Sequence, residues 1–267
     1  MFLLFGSIIH TSLYYGILVR GNYFSTKGAS NFFTSVSRLQ KSLKVEDAEY
    51  AVTGSSLVGR FPAREKMLNL GIDGSTSVKS LQALETGEFK IPKTIIIEAN
   101  LIMGWQTIEG DPLFDYLKGV HFKAGQHCRL LAAESRPSDV VYSFLRKKQD
   151  SHGKLEAKLK KVEIENPKFI DSKLAETTEY KNIVELILRA KKNQTRIIIV
   201  WIPNGIGSQG RIERIQNYAK SIAASVGCEY IDMMFLDRDD TVTYTDGVHL
   251  TKESAEFVLD TLLKTIE

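Results

Sequence analysis

The sequence contains few cysteines and has no large excess of positive or negative charge. The two cysteines, Cys128 and Cys228, lie far apart and match no metal-binding or redox spacing. The 35 basic and 32 acidic residues are mixed along most of the chain and leave a net charge of +3, which gives no case for binding nucleic acid. No internal repeat or low-complexity block is present. The 267 residues, 43% of them hydrophobic, are enough for one sizeable α/β core with appendages.

The N-terminal segment contains no Lys, Arg, Asp or Glu before Arg20, and this uncharged run is about as long as a bilayer-spanning helix. It lacks the basic start of a cleaved secretion signal, so residues 1–20 are predicted to be an uncleaved apolar anchor. The alternative is a helix packed on the domain. Residues 21–47 are polar at first and then show helical spacing of apolar residues, which predicts a stalk with a linker helix.

Residues 48–267 alternate between short apolar strands and amphipathic helices. Such alternation predicts an α/β fold with an open, mostly parallel sheet, helices on both faces and a ligand site beyond the carboxyl ends of the strands. Residues 134–180 are rich in mixed charge and are predicted to be an insertion of solvated helices and loop, with a lid or docking surface as the alternative. The predicted strands start near residue 50 and cover about 66–72, 93–99, 196–203 and 228–235.

Two short motifs lie where these predicted strands and helices meet. Gly54-Ser55-Ser56 follows a short β run, and Asp246 precedes His249 by three residues just before the closing helix. Each motif alone is ordinary turn or helix-cap chemistry. Along the chain Gly54-Ser55-Ser56, Gly74, Asn100 and the Asp246–His249 pair form one ordered set, with Gly74 and Asn100 after the intervening strands.

In this ordered set the chain resembles the SGNH (GDSL-type) hydrolase superfamily. Gly54-Ser55-Ser56-Leu57 matches three positions of the family's Gly-Asp-Ser-Leu block, and Gly74 falls at the glycine of the second block. Only Asn100 is retained from the third block, Gly-x-Asn-Asp, whereas Asp-x-x-His is complete as Asp246 and His249. The resemblance covers residues 48–267 and implies a three-layer sandwich around a flavodoxin-like sheet, with no cofactor and no metal.

The resemblance also implies a role for each matched residue. Ser56 would be the nucleophile, His249 its general base, and Asp246 the group that orients the imidazole. The oxyanion hole would consist of the backbone N–H groups of Ser56 and Gly74 and the side-chain amide of Asn100.

Three departures from the family pattern bear on this assignment. Ser55 replaces the Asp of the first block, which leaves two candidate nucleophiles, and the register of Leu57 favours Ser56. In the third block Glu98 replaces Gly and Leu101 replaces Asp, which removes expected support for the site.

The functional expectation is a serine-dependent acyl-ester hydrolase acting on an acylated carbohydrate or small ester. The alternatives are an O-acetyltransferase acting on an extracytoplasmic polysaccharide and a catalytically inactive, membrane-tethered protein that binds glycan or a membrane acyltransferase. Basic residues follow the anchor, and the positive-inside rule would therefore keep the domain in the cytoplasm. The family resemblance implies the opposite, and an extracytoplasmic domain is the expectation adopted.

Overall fold

The computed structural model describes residues 29–128, 133, 164–165, 175–191, 194–205, 209–238 and 241–267. The predicted anchor at 1–20 and most of the predicted charged insertion at 134–180 lie outside the described residues. Among the helices that are described, none is both long and apolar enough to cross a membrane.

The described elements alternate between strands and helices, as the sequence predicts. The strands are β1 Tyr50–Gly54, β2 Met67–Gly71, β3 Thr94–Glu98, β4 Ile164–Glu165, β5 Arg196–Trp201 and β6 Glu229–Asp232. The α-helices are α1 Ala29–Ser42, α2 Ser56–Gly59, α3 Ser77–Gln82, α4 Pro112–Lys118, α5 Val120–His127, α6 Thr178–Lys191, α7 Gln209–Val226, α8 Phe235–Arg238 and α9 Lys252–Ile266. A 3₁₀ turn, Ala83–Thr86, follows α3 and ends at Gly87, which has the left-handed φ of 75° that glycine adopts readily.

The strands form one sheet in the order β2-β1-β3-β5-β6-β4. All neighbouring pairs are parallel except β4 with β6, which are antiparallel. When β4 is left out and the five parallel strands are numbered by their order in the chain, they lie in the order 2-1-3-4-5 of flavodoxin-like sheets. The prediction of a mostly parallel α/β sheet is confirmed. The edge strand β4, which lies inside the predicted insertion, was not expected.

Strand β3 explains how the sheet carries a core on both faces. All of its residues are buried, as expected for a central parallel strand. Because side chains alternate along a strand, Ile95 and Ile97 pack with one apolar cluster and Ile96 with the other. The first cluster includes α1, α3, α6 and α7, and the second includes α9. The helices thus form a layer on each side of the sheet.

Helix α1 belongs to the folded domain, although the sequence suggested a stalk at 21–47. Val36 and Leu39 are fully buried in the first cluster, and each such burial stabilises the fold by about 1.5–3 kcal/mol. The Ser42 hydroxyl donates to the Asn69 carbonyl of β2 at 2.9 Å and accepts the Asn69 N–H at 3.0 Å. The predicted helix is present, and the domain begins before residue 48.

Strand β6 is shorter than the predicted strand at 228–235. The Asp232 carboxylate accepts the backbone N–H of Met234 at 2.9 Å, which turns the chain and ends the strand. Helix α8 follows immediately. The loop from α8 to α9 then returns over the carboxyl ends of the strands, where the Asp246–His249 motif lies.

Candidate active site

The turn between β1 and α2 separates the two candidate serines. Ser55 is the N-cap of α2, is 1% exposed, and accepts the Leu57 N–H at 3.2 Å. Its hydroxyl donates to the Glu98 carboxylate at 2.9 Å. Ser56 is the first residue of α2 and is only half-buried. The Ser55 hydroxyl is therefore buried and hydrogen-bonded, whereas the Ser56 hydroxyl is accessible at the edge of the sheet.

A chain of two short hydrogen bonds joins Ser56, His249 and Asp246. Ser56 Oγ lies 2.8 Å from His249 Nε2, and His249 Nδ1 lies 2.7 Å from Asp246 Oδ2. Both distances are within the normal hydrogen-bond range. Ser56 and His249 are 193 residues apart in sequence, so the tertiary fold brings the two motifs together. The arrangement has the geometry of a Ser-His-Asp triad.

The Asp246–His249 segment is a tight turn that holds both side chains in place. Asp246 Oδ1 accepts the backbone N–H of Val248 at 3.1 Å and that of His249 at 2.8 Å. Gly247 has a φ of +76°, which a residue with a side chain rarely adopts. A Cβ on Gly205, in the loop after β5, would lie 2.0 Å from the Gly247 carbonyl oxygen. Only glycine at 205 lets the β5 loop pack against this turn.

The Asp246 carboxylate is held in its ionised form although it is half exposed. Burial acts to raise its pKa, but hydrogen bonds from the His249 backbone, the His249 imidazole and the Val248 backbone together lower the pKa to about 2. An anion at this position fixes which imidazole nitrogen carries the proton. Nε2 is then left to accept a proton from Ser56.

Asn100 and Gly74 follow the two strands that flank β1. Asn100 is buried, and its amide pairs with Ile202, donating from Nδ2 to the carbonyl at 2.8 Å and accepting the N–H at 2.9 Å. An amide nitrogen carries two N–H groups, so one remains after this pairing. Gly74 has a φ of +74° and is the third residue of a turn closed by the Ser75 N–H and the Ile72 carbonyl at 3.2 Å.

Two backbone N–H groups that follow β1 and β2 also have no acceptor in the described part of the chain. Across the described residues, no hydrogen bond uses the N–H of Ser56 or of Gly74. Ser56 follows β1, and Gly74 and Asn100 follow its neighbours β2 and β3. Three N–H donors therefore lie along the same edge of the sheet as the Ser56 hydroxyl.

The site geometry is not accompanied by a match to a known protein. No family model, curated protein or solved structure matches this chain. In the described part of the chain, no group of three or more His, Cys, Asp and Glu side chains is arranged to hold a metal ion.

Glu98 is the residue of this site whose importance the sequence did not reveal. It ends β3 completely buried, and its Oε2 accepts the Ser55 backbone N–H at 2.7 Å. Burial raises the pKa of Glu98 to about 7, against hydrogen bonds from Ser55 and Val58 that lower it. The replacement of glycine by Glu98 was expected to remove support, whereas the structure places a carboxylate directly beneath the nucleophile turn. A polar residue ending an otherwise apolar strand was the only sequence signal.

Gly54 is the counterpart that makes room for this carboxylate. A Cβ at position 54 would lie 2.4 Å from Glu98 Oε2 and 2.4 Å from Val58 Cγ2. Real Cβ atoms do not approach other atoms so closely, so a side chain at 54 would displace either the carboxylate or α2. Glycine before Ser55 and glutamate at the end of β3 thus fit each other.

Proposed function

We propose that the protein is a serine-dependent acyl-ester hydrolase that works through an acyl-Ser56 intermediate. The observation that carries this proposal is the hydrogen-bonded chain from Ser56 through His249 to Asp246, with distances of 2.8 and 2.7 Å. A serine hydroxyl is a weak nucleophile until an adjacent base accepts its proton, and His249 Nε2 is within reach to do so.

In the first half-reaction Ser56 Oγ attacks the ester carbonyl carbon while its proton passes to His249 Nε2. The imidazolium that forms is stabilised by the ionised Asp246 carboxylate. His249 then gives the proton to the leaving alcohol oxygen as the carbon–oxygen bond of the ester breaks. In the second half-reaction His249 takes a proton from water, and the resulting hydroxide attacks the acyl-Ser56 carbonyl carbon. The bond between this carbon and Ser56 Oγ then breaks, His249 returns the proton to Ser56 Oγ, and the carboxylic acid leaves.

Each attack creates a negatively charged oxygen that needs donors already in place. The N–H groups of Ser56 and Gly74 and the second amide N–H of Asn100 are the proposed oxyanion hole. Two observations support it: the three donors lie at the ends of adjacent strands, and Asn100 is fixed by Ile202 on both its oxygen and its nitrogen. The sheet order and the location of these residues after β1, β2 and β3 also support the SGNH form of the three-layer fold.

The proposal is tested with a chromogenic acetyl ester and a fluorophosphonate that labels activated serines. The full chain is expected to hydrolyse the ester and to gain one adduct, located on Ser56 by peptide mass spectrometry. Ser56→Ala removes the nucleophile and should abolish both the adduct and the turnover. Ser55→Ala tests the choice of serine: it removes the neighbouring hydroxyl together with its bond to Glu98, so labelling is expected to be slower but to stay on Ser56.

The outcomes separate the proposed hydrolase from its alternatives. A folded wild-type chain with neither turnover nor an adduct contradicts the enzyme proposal and favours a binding protein. An adduct on Ser55 instead of Ser56 contradicts the assigned nucleophile. An adduct on Ser56 with slow release to water favours transfer of the acyl group to another hydroxyl, such as that of a carbohydrate.

A further inference from the structure

The nucleophile turn rests on a buried carboxylate that the triad chemistry does not use. Glu98 Oε2 accepts the Ser55 N–H at 2.7 Å, and its two oxygens lie 2.9 and 3.0 Å from Ser55 Oγ. The backbone N–H of Val58, on α2, also acts to lower the pKa of this carboxylate. Ser55 and Val58 lie on either side of Ser56 in the turn, so the position of Ser56 depends on the group that holds its neighbours.

We propose that ionised Glu98 is a positioning residue, which fixes the Ser55–Val58 turn so that Ser56 Oγ meets His249, and that protonation of Glu98 loosens this turn. This inference rests on the proposed hydrolase function and adds a second protonation to its activity. An ionised carboxylate only accepts hydrogen bonds, which matches the Ser55 N–H and O–H that face it. A protonated carboxyl group carries a donor of its own, and the Ser55 O–H must then give up its bond or reverse it.

No counter-charge supports Glu98 within the described residues. From the turn it is faced by Ser55 and Val58, and from β1 by the backbone of Gly54. From α3 the Ser77 hydroxyl donates to its backbone carbonyl at 2.6 Å, and from β5 its register partner is Val200. None of these groups is charged or titrates near neutral pH.

Burial without a counter-ion disfavours the charged form of a carboxylate and raises its pKa. Burial raises the pKa of Glu98 to about 7, while its hydrogen bonds with Ser55 and Val58 act in the opposite direction. The triad needs a neutral His249 to accept the Ser56 proton, and full activity also needs ionised Glu98 to hold the turn, so protonation of either group lowers activity. On the acid side, log kcat/KM should therefore rise with pH with a slope approaching 2.

The kinetic test compares the wild type with Glu98→Gln and Ser80→Ala in the full chain. Glu98→Gln keeps the shape of the side chain and removes its charge, and it is expected to lower kcat about tenfold to hundredfold at pH 8 with little change in KM. Its acid limb should have a slope of 1, because the glutamine removes one of the two protonations. A slope of 2 in Glu98→Gln, or a slope of 1 in the wild type, overturns the proposal.

Ser80→Ala is the matched control for a purely structural effect. The fully buried Ser80 hydroxyl accepts the Gly54 N–H at 2.9 Å and donates to the Leu70 carbonyl, so it holds the same turn from α3 without a titrating proton. This variant should lose stability and keep the slope of 2. A slope of 1 in Ser80→Ala would mean that any disturbance of the turn removes the second protonation, and that result also overturns the proposal.

A measurement without turnover keeps this inference separate from the proposed function. In ¹⁵N-labelled wild-type protein the amide signals of Ser55 and Val58 should move together as Glu98 titrates, and Ser80→Ala should retain this movement. If Glu98→Gln fails to fold, the wild-type titration still decides. Amide signals of Ser55 and Val58 that do not move between pH 5 and 8.5 overturn the proposal. If the wild type hydrolyses no ester but the signals move, the carboxylate holds the turn and only the hydrolase function fails.

Discussion

Two carboxylates hold the candidate active site, and they do so in opposite surroundings. Asp246 is 50% exposed, and its pKa is lowered to about 2. Glu98 is fully buried, and its pKa is raised to about 7. Asp246 accepts from the imidazole and from the backbone of its own turn, whereas Glu98 accepts only from neutral groups of the turn after β1. The same functional group is thus a constant anion at the surface and a titrating support in the interior.

The largest expected effect comes from removing the charge of the exposed carboxylate. Asp246→Asn keeps the size of the side chain, but it favours the wrong imidazole tautomer and no longer stabilises the imidazolium. In a triad this change lowers kcat by roughly 10⁴-fold. Ester hydrolysis measured at pH 8 checks it, with the melting temperature expected to stay close to that of the wild type.

Asp260→Asn is the matched control for Asp246→Asn. Its side chain is 45% exposed, close to the 50% of Asp246, and pairs with Arg64 at 2.7 Å. It takes no part in the Ser56–His249–Asp246 chain. This variant should keep near wild-type activity, because a surface ion pair contributes only about 0–1 kcal/mol to stability. Equal activities for the two variants would show that Asp246 is a surface residue of the turn and not a member of a triad.

The next effect separates the two polar residues at the end of β3. Glu98 faces the turn from below, whereas Asn100 is proposed to donate to the oxyanion. Asn100→Ala should lower kcat by about 10²–10³-fold with a small change in KM, since the donor acts on the transition state. It should also lower the free energy of unfolding, because the Ile202 N–H and carbonyl lose their partner.

The pH dependence of kcat/KM distinguishes the loss of an oxyanion donor in Asn100→Ala from the loss of a protonation in Glu98→Gln. Asn100→Ala should keep the acid-limb slope of the wild type, since it leaves both titrating groups in place. Steady-state kinetics from pH 5 to 8.5 measure this. A tenfold or smaller loss in kcat would show that Asn100 is not part of the oxyanion hole. Its role would then be structural, through its two hydrogen bonds with Ile202 after β5.

Local sequence patterns predicted the layers of this fold and the serine at the centre of the site. Apolar runs such as Ile95–Ile97 identify buried parallel strands, and the residues after parallel strands meet at one edge of the sheet. The motif order was enough to pair Ser56 with His249. The sequence was less informative about which segments belong to the domain. The helix that carries Val36 and Leu39 was predicted to be part of a stalk, because its local pattern does not show which surface its apolar face covers.

The support beneath Ser55 could not be predicted from the sequence in the same way. Ser55 and Glu98 are 43 residues apart, and Ser55 follows β1 whereas Glu98 ends β3. Their contact depends on the parallel register of β1 with β3, in which Thr53 pairs with Ile97. Comparison with the family pattern made Ser55 a second candidate nucleophile and made Glu98 a loss of support for the site, as two unrelated departures. The structure joins them in one hydrogen-bonded unit, and Gly54 supplies the space for it.

The smallest expected effect is on stability, and it distinguishes the buried carboxylate from the exposed one. The folded pKa of Glu98 lies above its usual 4.5, so the folded chain binds more protons than the unfolded chain between pH 4.5 and 7. This contribution to stability is present below pH 4.5 and is lost as the pH rises through about 7. The folded pKa of Asp246 lies below its usual 3.8, and its contribution is lost only in stronger acid.

Urea unfolding followed by circular dichroism at several pH values tests this difference. Between pH 5 and 8 the wild-type free energy of unfolding should fall by about 2 to 3 kcal/mol relative to that of Glu98→Gln. Asp246→Asn should follow the wild-type curve over this range, because Asp246 stays ionised throughout it. Parallel curves for the wild type and Glu98→Gln would mean that Glu98 keeps one protonation state from pH 5 to 8. Glu98 would then hold the turn in the same way at every pH in this range. Glu98 and Asp246 would differ in their solvent exposure but not in whether they change protonation between pH 5 and 8.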